Sequence, residues 1–210
     1  MHTDYSDYTV KWAHLPWEVE QARQLRRQVF CQEQKLFELT DTDAIDDTAQ
    51  SIVALGDYGG WPQQVVGTVR IHQSASGEWW GSRLAVSRDF RHQRHLGSGL
   101  IRLAVCSAHA LGCERFMATV QAGNEALFKH LHWLTLERLQ LHGREHVLMQ
   151  ADLDFYPPEY APRTGFVMTL PPRAATAIAL WPGLLGDQAA PVGLQNSLTK
   201  AQGKELPYGH

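Results

Sequence analysis

The chain has 210 residues, 44% hydrophobic and 20% charged, which suits one globular domain with a sizeable core and an appendage, and excludes collagen, coiled coil and wholesale disorder. Its formal charge is −3 with histidine neutral, and protonating all 11 histidines would carry it to +8, so the electrostatics of any partner depend on pH. Without a large positive excess at neutral pH, no nucleic-acid partner is expected. Three cysteines, Cys31, Cys106 and Cys113, form neither an even disulfide framework nor a Cys-x-x-Cys pair, which points to a reducing, cytoplasmic setting. The first eight residues are polar and acidic, with no apolar core of signal-peptide length, and no stretch approaches the ~20 apolar residues of a membrane span, so no membrane partner is expected.

Residues 8–13 alternate in strand fashion. Pro16 then opens a segment whose apolar positions, Val19, Ala22, Leu25, Val29 and Phe30, are spaced for a helix over 16–30. An acidic loop, Asp41-Thr42-Asp43-Ala44-Ile45-Asp46-Asp47, leads to strands at 51–58 and 64–72, joined as a hairpin through Gly59-Gly60-Trp61-Pro62. A third strand at 78–86 completes an antiparallel meander. The period then changes, and Leu100, Leu103, Ala104, Ala108 and Leu111 mark one face of a helix over 99–111 that ends at Gly112. A strand at 115–121 follows, then Asn124 as the N-cap of a helix reaching about residue 133, then strands at 134–141 and 147–153. Beyond Asp154, prolines from Pro157 to Pro191 punctuate the chain, which reads as an extension over the core with one short helix at 173–180.

The most informative stretch is Arg94-His95-Leu96-Gly97-Ser98-Gly99, between the strand ending near Val86 and the following helix. Glycines there let the backbone approach a ligand, and the first helical turn offers N–H groups and a positive dipole end to a phosphate. A plain glycine turn would satisfy the same string. In context, however, it resembles the acyl-CoA pyrophosphate loop of the GNAT acyltransferases, an Arg or Gln followed by two residues, Gly, one residue, then Gly or Ala. Arg83-Leu84-Ala85-Val86 is similar to the family's fourth strand, and the helix, strand and Asn-headed helix that follow keep the family's order. The resemblance covers about residues 8–153. A second likeness lies in Leu25-Arg26-Arg27-Gln28-Val29-Phe30-Cys31-Gln32-Glu33-Gln34 followed by the run Asp41 to Asp47, which read together as Arg, Val-Phe, Glu-Gln, then Asp-x-Asp-x-x-Asp. That pattern is similar to a GNAT branch encoded beside a nitrilase in bacterial nitrogen-starvation clusters and, more distantly, to acyl-homoserine-lactone synthases.

The resemblance implies an α/β fold of GNAT type: a mixed, mostly antiparallel central sheet flanked by helices, splayed at its fourth and fifth strands to admit pantetheine. The acyltransferase domain would span 8–153, with a proline-rich C-terminal extension at 154–210 packed on the core or on a neighbouring subunit. Leu84, Ala85 and Val86 would pair with the pantetheine arm. Arg94, His95, Leu96, Gly97, Ser98 and Gly99 would hold the pyrophosphate, and Asn124 would contact the pantetheine or serve as a plain N-cap. His92 and His95 would add charge there, so that CoA affinity weakens as pH rises through ~6.5. Many family members carry a Tyr four residues after the Asn as proton donor. Phe128 stands at that position, leaving His130, Tyr156 or water to protonate a thiolate whose pKa of about 8.5 asks for little help.

Two carboxylates are candidates for the catalytic base. Glu78 begins the fourth strand and by parity shares a face with Trp80, Ser82 and Leu84, while Glu33 ends the first helix. The acidic run admits three readings: recognition of a cationic acceptor, metal binding, or loop capping. No metal is expected, because an EF-hand loop would need a Gly and a Glu that are absent, and His130 and His132 project about 200° apart on a helix. Cys31 reads as a buried apolar cysteine in preference to a nucleophile. Trp79 and Trp80 must face opposite sides of their strand, so one of them can line the acceptor cleft. The expected activity is transfer of an acetyl group from acetyl-CoA to a primary amine of a small molecule, by direct attack in a ternary complex. The alternatives are a longer acyl-CoA or acyl carrier protein as donor, or a CoA-binding sensor. A homodimer is compatible with the resemblance.

Overall fold

Alternation between two buried faces builds the centre of the molecule. The computed structural model describes residues 5–93, 95–141 and 143–169; Arg94, the remainder of the extension and the helix expected at 173–180 lie outside the described residues. Along the chain run β1 (Asp7–Trp12), α1 (Pro16–Arg26), β2 (Gln50–Tyr58), β3 (Trp61–Ala75), β4 (Glu78–Val86), α2 (His95–Ala110), β5 (Arg115–Gln121), α3 (Glu125–His130), β6 (Trp133–Leu141), β7 (Arg144–Ala151) and β8 (Phe166–Thr169). The eight strands form one sheet in the order β6-β7-β5-β4-β3-β2-β1-β8, antiparallel except for the β4–β5 pair. That parallel pair needs a crossover, and α2 supplies it.

The two faces carry different helices. Val10, Ile52, Val69, Ile71 and Phe116 pack with Leu100 and Leu103 of α2, and Val53, Leu55 and Val65 pack with Ala22 and Leu25 of α1. Pro16 sits at the start of α1, where its missing N–H costs no helical bond. Buried Glu18 accepts the backbone N–H groups of His14 and Leu15 and an ion pair from Lys11 Nζ at 2.6 Å, which closes that end.

Beyond shifts of a few residues, such as α3 ending at His130 with Trp133 already in β6, three local outcomes depart from the expected boundaries. The first helix ends at Arg26 as an α-helix and winds on as a π-helix over Arg27–Glu33, with Gln34 N–H donating to the Val29 carbonyl five residues back. The α2 helix begins at His95 instead of Gly99, so the glycine motif is the helix's first turn and not a loop before it. The third departure is β8, four residues from the proline-punctuated stretch, which pairs antiparallel with β1 from Asp7↔Thr169 to Val10↔Phe166. The described residues lie within one compact unit, Met1–Pro171. No helix among them is long and apolar enough to cross a membrane.

Candidate active site

The sheet parts where β4 leaves β5. The two strands pair only from Glu78↔Arg115 to Gly81↔Ala118, although β4 continues to Val86 and β5 to Gln121. A bulge accounts for the departure. Thr68 faces Ala85 and Arg70 faces Ser82, so two residues of β4, Arg83 and Leu84, stand opposite the single Val69. Arg83 takes up the bend with a left-handed φ of 55°, a conformation costly for a residue with a side chain and found mainly where function needs it.

Three cavities line up through this opening. A cleft of about 500 Å³ is bordered by Val29, Leu84, Ala85, Val86, Gly97, Asn124 and Phe128. A void of about 40 Å³ shares Leu84 and Phe128 with that cleft and shares Gly81 and Ser82 with a recess of about 310 Å³ on the α1 side of the sheet. The recess is lined by Asp43, Arg70, His72, Trp80, Ser82, Arg83 and Thr119, among others. The three spaces therefore adjoin in series, from the start of α2, past the parted strands, to a polar chamber beyond. A larger groove of about 750 Å³ lies elsewhere, between β8 and the α2 stripe of His95, Ser98, Gly99 and Arg102.

The chamber's charge is internally balanced. Arg26, 3% exposed, places Nε 2.7 Å from Asp41 and Nη1 2.5 Å from Asp46. Arg70 holds Asp43 at 2.6 Å and Asp46 at 2.9 Å, and Arg83 reaches Asp41 and Asp43 at 3.0 Å each while lying over the Phe37 ring. Asp43 also caps the short 3₁₀ turn Ala44–Asp47 by accepting the Ile45 N–H. The acidic run is thus a cap, one of the three readings its sequence allowed, and also the counter-charge for three arginines, a pairing hidden from the sequence because Arg70 and Arg83 come from distant strands. Burial works to raise the Asp46 carboxyl, but the bonds from Arg26 and the Asp43 N–H outweigh it and leave it well below the ordinary range. For Asp43 the hydrogen bond from Arg70 is the main cause of a lowered value.

The expected site residues divide between the two ends of this series. Leu84, Ala85, Val86, Gly97 and Asn124 border the cleft, and Asn124 heads α3 without a side-chain capping bond. His95, Leu96, Ser98 and Gly99 belong to the same helical turn but border the 750 Å³ groove, with Gln93 touching both spaces. Phe128 is buried and packs edge-on to Trp133, with ring centroids 5.0 Å apart. Tyr156 is also buried; its hydroxyl accepts from Trp133 Nε1 and donates to the Leu131 carbonyl, and burial pushes its pKa up to about 12. Cys31, Cys106 and Cys113 are all buried and free, with burial raising each thiol.

Neither carboxylate proposed as base is free. Glu78 sits at the paired, closed end of the β4–β5 wedge, accepting hydrogen bonds from Trp80 Nε1 at 3.1 Å and Ser74 Oγ at 2.8 Å. Those bonds, with Arg115 nearby, lower its pKa. Glu33 pairs with Arg91 at 2.6 Å. Beside it, Gln34 accepts a hydrogen bond from Gln121 of β5, so the end of the π-helix bridges towards the parted strands. Trp79 turns into the core and Trp80 lines the recess. One functional candidate escaped sequence reasoning: His72 on β3. Its signal was the alternation of polar Thr68, Arg70 and His72 against buried Val69 and Ile71, which marks a polar face beneath a helix.

A mixed sheet opened at its parallel pair, with a glycine-bearing helix start on one side of the gap and a polar chamber on the other, defines an acyl-CoA-dependent transferase of the GNAT fold. The chain belongs to the acetyltransferase (GNAT) family, whose sequence model matches residues 9–132. Among solved structures, a protein from Lactobacillus plantarum is similar over 69% of this chain and 97% of its own, at 17% identity and a TM-score of 0.61. An acyl-CoA N-acyltransferase from Pseudomonas aeruginosa is similar at 21% identity and a TM-score of 0.56, over 69% of this chain and 99% of its own. The CoA-dependent acyl-homoserine lactone synthase BjaI is similar at 17% identity and a TM-score of 0.57, over 68% of this chain and 82% of its own. No curated protein matches the sequence.

Proposed function

We propose that the protein is an N-acetyltransferase that moves the acetyl group of acetyl-CoA to a primary amine of a small molecule, by direct attack in a ternary complex. The observation that carries this reading is the succession of the 500 Å³ cleft, the 40 Å³ void and the 310 Å³ recess, each sharing wall residues with the next where β4 leaves β5. Pantetheine would run along Leu84, Ala85 and Val86, with Asn124 beside it. The first turn of α2, residues 95–99 with Arg94 before it, would offer N–H groups and dipole to the pyrophosphate. The acyl methyl would enter the void, whose walls include Ile101, Ala104, Phe128 and Trp133, and the amine would come from the recess. A β4 backbone N–H would polarise the thioester carbonyl.

Several features support the details. A void of about 40 Å³ accommodates an acetyl methyl, whereas a longer chain requires the Phe128–Trp133 pair to move. Burial of Cys31 argues against an acyl-enzyme route, since the thiolate is the nucleophile and burial disfavours it. Phe128 cannot protonate the departing thiolate, but a thiol of pKa about 8.5 leaves with modest help. Three buried free thiols suit a reducing cytoplasm. Within the family, the nitrilase-associated branch stays our proposal on its sequence pattern, of which Arg26, Asp41 and Asp46 form one ion-paired unit.

The test has two arms. Acetyl-CoA and CoA, each titrated to about 100 times its dissociation constant, should stabilise the fold by about 2.7 kcal/mol in thermal unfolding. Thiol release is then followed with acetyl-, butyryl- and octanoyl-CoA against a panel of primary amines. Turnover fastest with acetyl-CoA supports the reading. A preference for the longer donors transfers it to the longer-acyl alternative, and binding without turnover across the panel to the sensor alternative. No shift at millimolar CoA would overturn the cofactor argument.

A further inference from the structure

Within the recess, most charged groups already have partners. Asp43 is held by Arg70 and Arg83, and both arginines are held by the acidic loop. His72 differs. Its Nδ1 is sealed from solvent without a hydrogen-bond partner, and no carboxylate among the described residues pairs with the ring. A buried polar atom left unpaired is costly enough to need a reason. Its position supplies one. His72 stands directly opposite Trp80 in the β3–β4 ladder, two residues from Arg70, whose partner Ser82 borders both the recess and the void. His72 lines the recess and not the void, and because Nδ1 is closed to any ligand, it is the other ring nitrogen, Nε2, that can serve the recess.

We propose that His72 is the catalytic base of the acyl transfer. This rests on the acyltransferase reading above and adds the residue that handles the proton. The amine nitrogen forms the new C–N bond at the thioester carbonyl carbon, and the C–S bond breaks with its electron pair going to sulfur. The proton lost by nitrogen passes to Nε2 of the imidazole, the sealed Nδ1 keeping its own hydrogen, and the imidazolium returns one proton, through water, to the CoA thiolate. The products are an amide and a free thiol, with no other reactant. A base must be unprotonated before the step, and the surroundings favour that state. Burial first, then Arg70 on the same strand, push the ring's pKa below its ordinary 6.5, with Asp43 from the acidic loop opposing more weakly. Arg83 of β4 adds positive charge to the recess, and Thr119 of β5 and Trp80 of β4 are uncharged. Glu78 and Glu33, by contrast, would each have to leave a cationic or hydrogen-bonded partner first.

Bromoacetyl-CoA tests this without knowledge of the acceptor. Its bromomethyl carbon would lie beside the thioester, where a neutral imidazole displaces bromide, forms an N–C bond and releases a proton to solvent. The expected result is one adduct per chain, mapped by peptide mass spectrometry to His72. Labelling should be suppressed at least about tenfold by excess CoA, absent in His72→Gln, and constant in rate above pH 6.5 while falling below it. With whichever panel amine the parent turns over, His72→Gln should lose about 100-fold in kcat with the KM for acetyl-CoA unchanged, a larger loss than Glu78→Gln or Glu33→Gln. An adduct on Glu33, Glu78 or Cys31, or no adduct on a protein that CoA demonstrably stabilises, would overturn the assignment of His72 alone. Failure of CoA to stabilise the parent would overturn the acyltransferase reading beneath it.

Discussion

Gly97 and Gly99 belong to one motif, yet they are glycines for different reasons. A Cβ at Gly97 meets nothing within 4 Å and would project into the empty cleft. Gly97→Val should therefore leave the thermal midpoint of the free protein within about 2 °C and abolish the stabilisation by CoA, both read from the same melting series. A Cβ at Gly99 would come within 2.8 Å of Met168 Sδ and 3.5 Å of Val10 Cγ2. Gly99→Ala should instead be absorbed by rotation of the flexible Met168 into the adjoining groove, changing stability in urea unfolding by less than about 1 kcal/mol as the gain in helix propensity offsets the displaced contact. The motif was legible from spacing alone. Which glycine meets the cleft and which meets the core was not, since that depends on the arrival of Met168 from a strand far along the chain.

At the scale of elements, periodic segments appeared where their apolar spacing put them, and the departures have identifiable physical causes. The apolar positions Val29 and Phe30 continue the helical stripe of α1, but spacing cannot distinguish an α-helix from a π-helix that wraps one more residue per turn. The π-turn delivers Glu33 to Arg91 and Gln34 to Gln121, bonds made across the fold. Strand β8 was hidden because four residues after a proline-punctuated stretch carry little pattern of their own, and their partner β1 lies over 150 residues earlier in sequence. Gly165 makes that pairing accessible, with a φ of 65° and a position where a Cβ would overlap the Val10 carbonyl. Gly165→Ala should detach β8, seen as faster amide exchange at the β1 residues that face it and a lower thermal midpoint.

Across the whole molecule, the ionic cluster ties α1, the acidic loop, β3 and β4 together through Arg26, Arg70 and Arg83. Its pH dependence follows from the lowered carboxyl values of Asp43 and Asp46. Their contribution to stability is complete above the unfolded value near 3.8 and is lost as pH falls through the lower folded values. Urea midpoints should therefore change little from these groups between pH 7 and 5 and drop steeply below 4. Asp46→Asn removes one partner of the buried Arg26 and should cost about 3 kcal/mol at pH 7, with a shallower decline on acidification.

The family resemblance and the order of nearly every element lie in local spacing, because periodicity, caps and glycine positions act between residues close along the chain. Which polar groups already have partners depends on contacts between segments far apart in the chain. The acidic run met arginines from α1, β3 and β4, Glu78 and Glu33 met partners of their own, and His72 pairs with no carboxylate among the described residues, in a chamber assembled from four segments. A side chain's readiness to accept a proton depends on its solvation and on every charge within a few ångströms, and those neighbours are set by strand pairing and register rather than by local spacing.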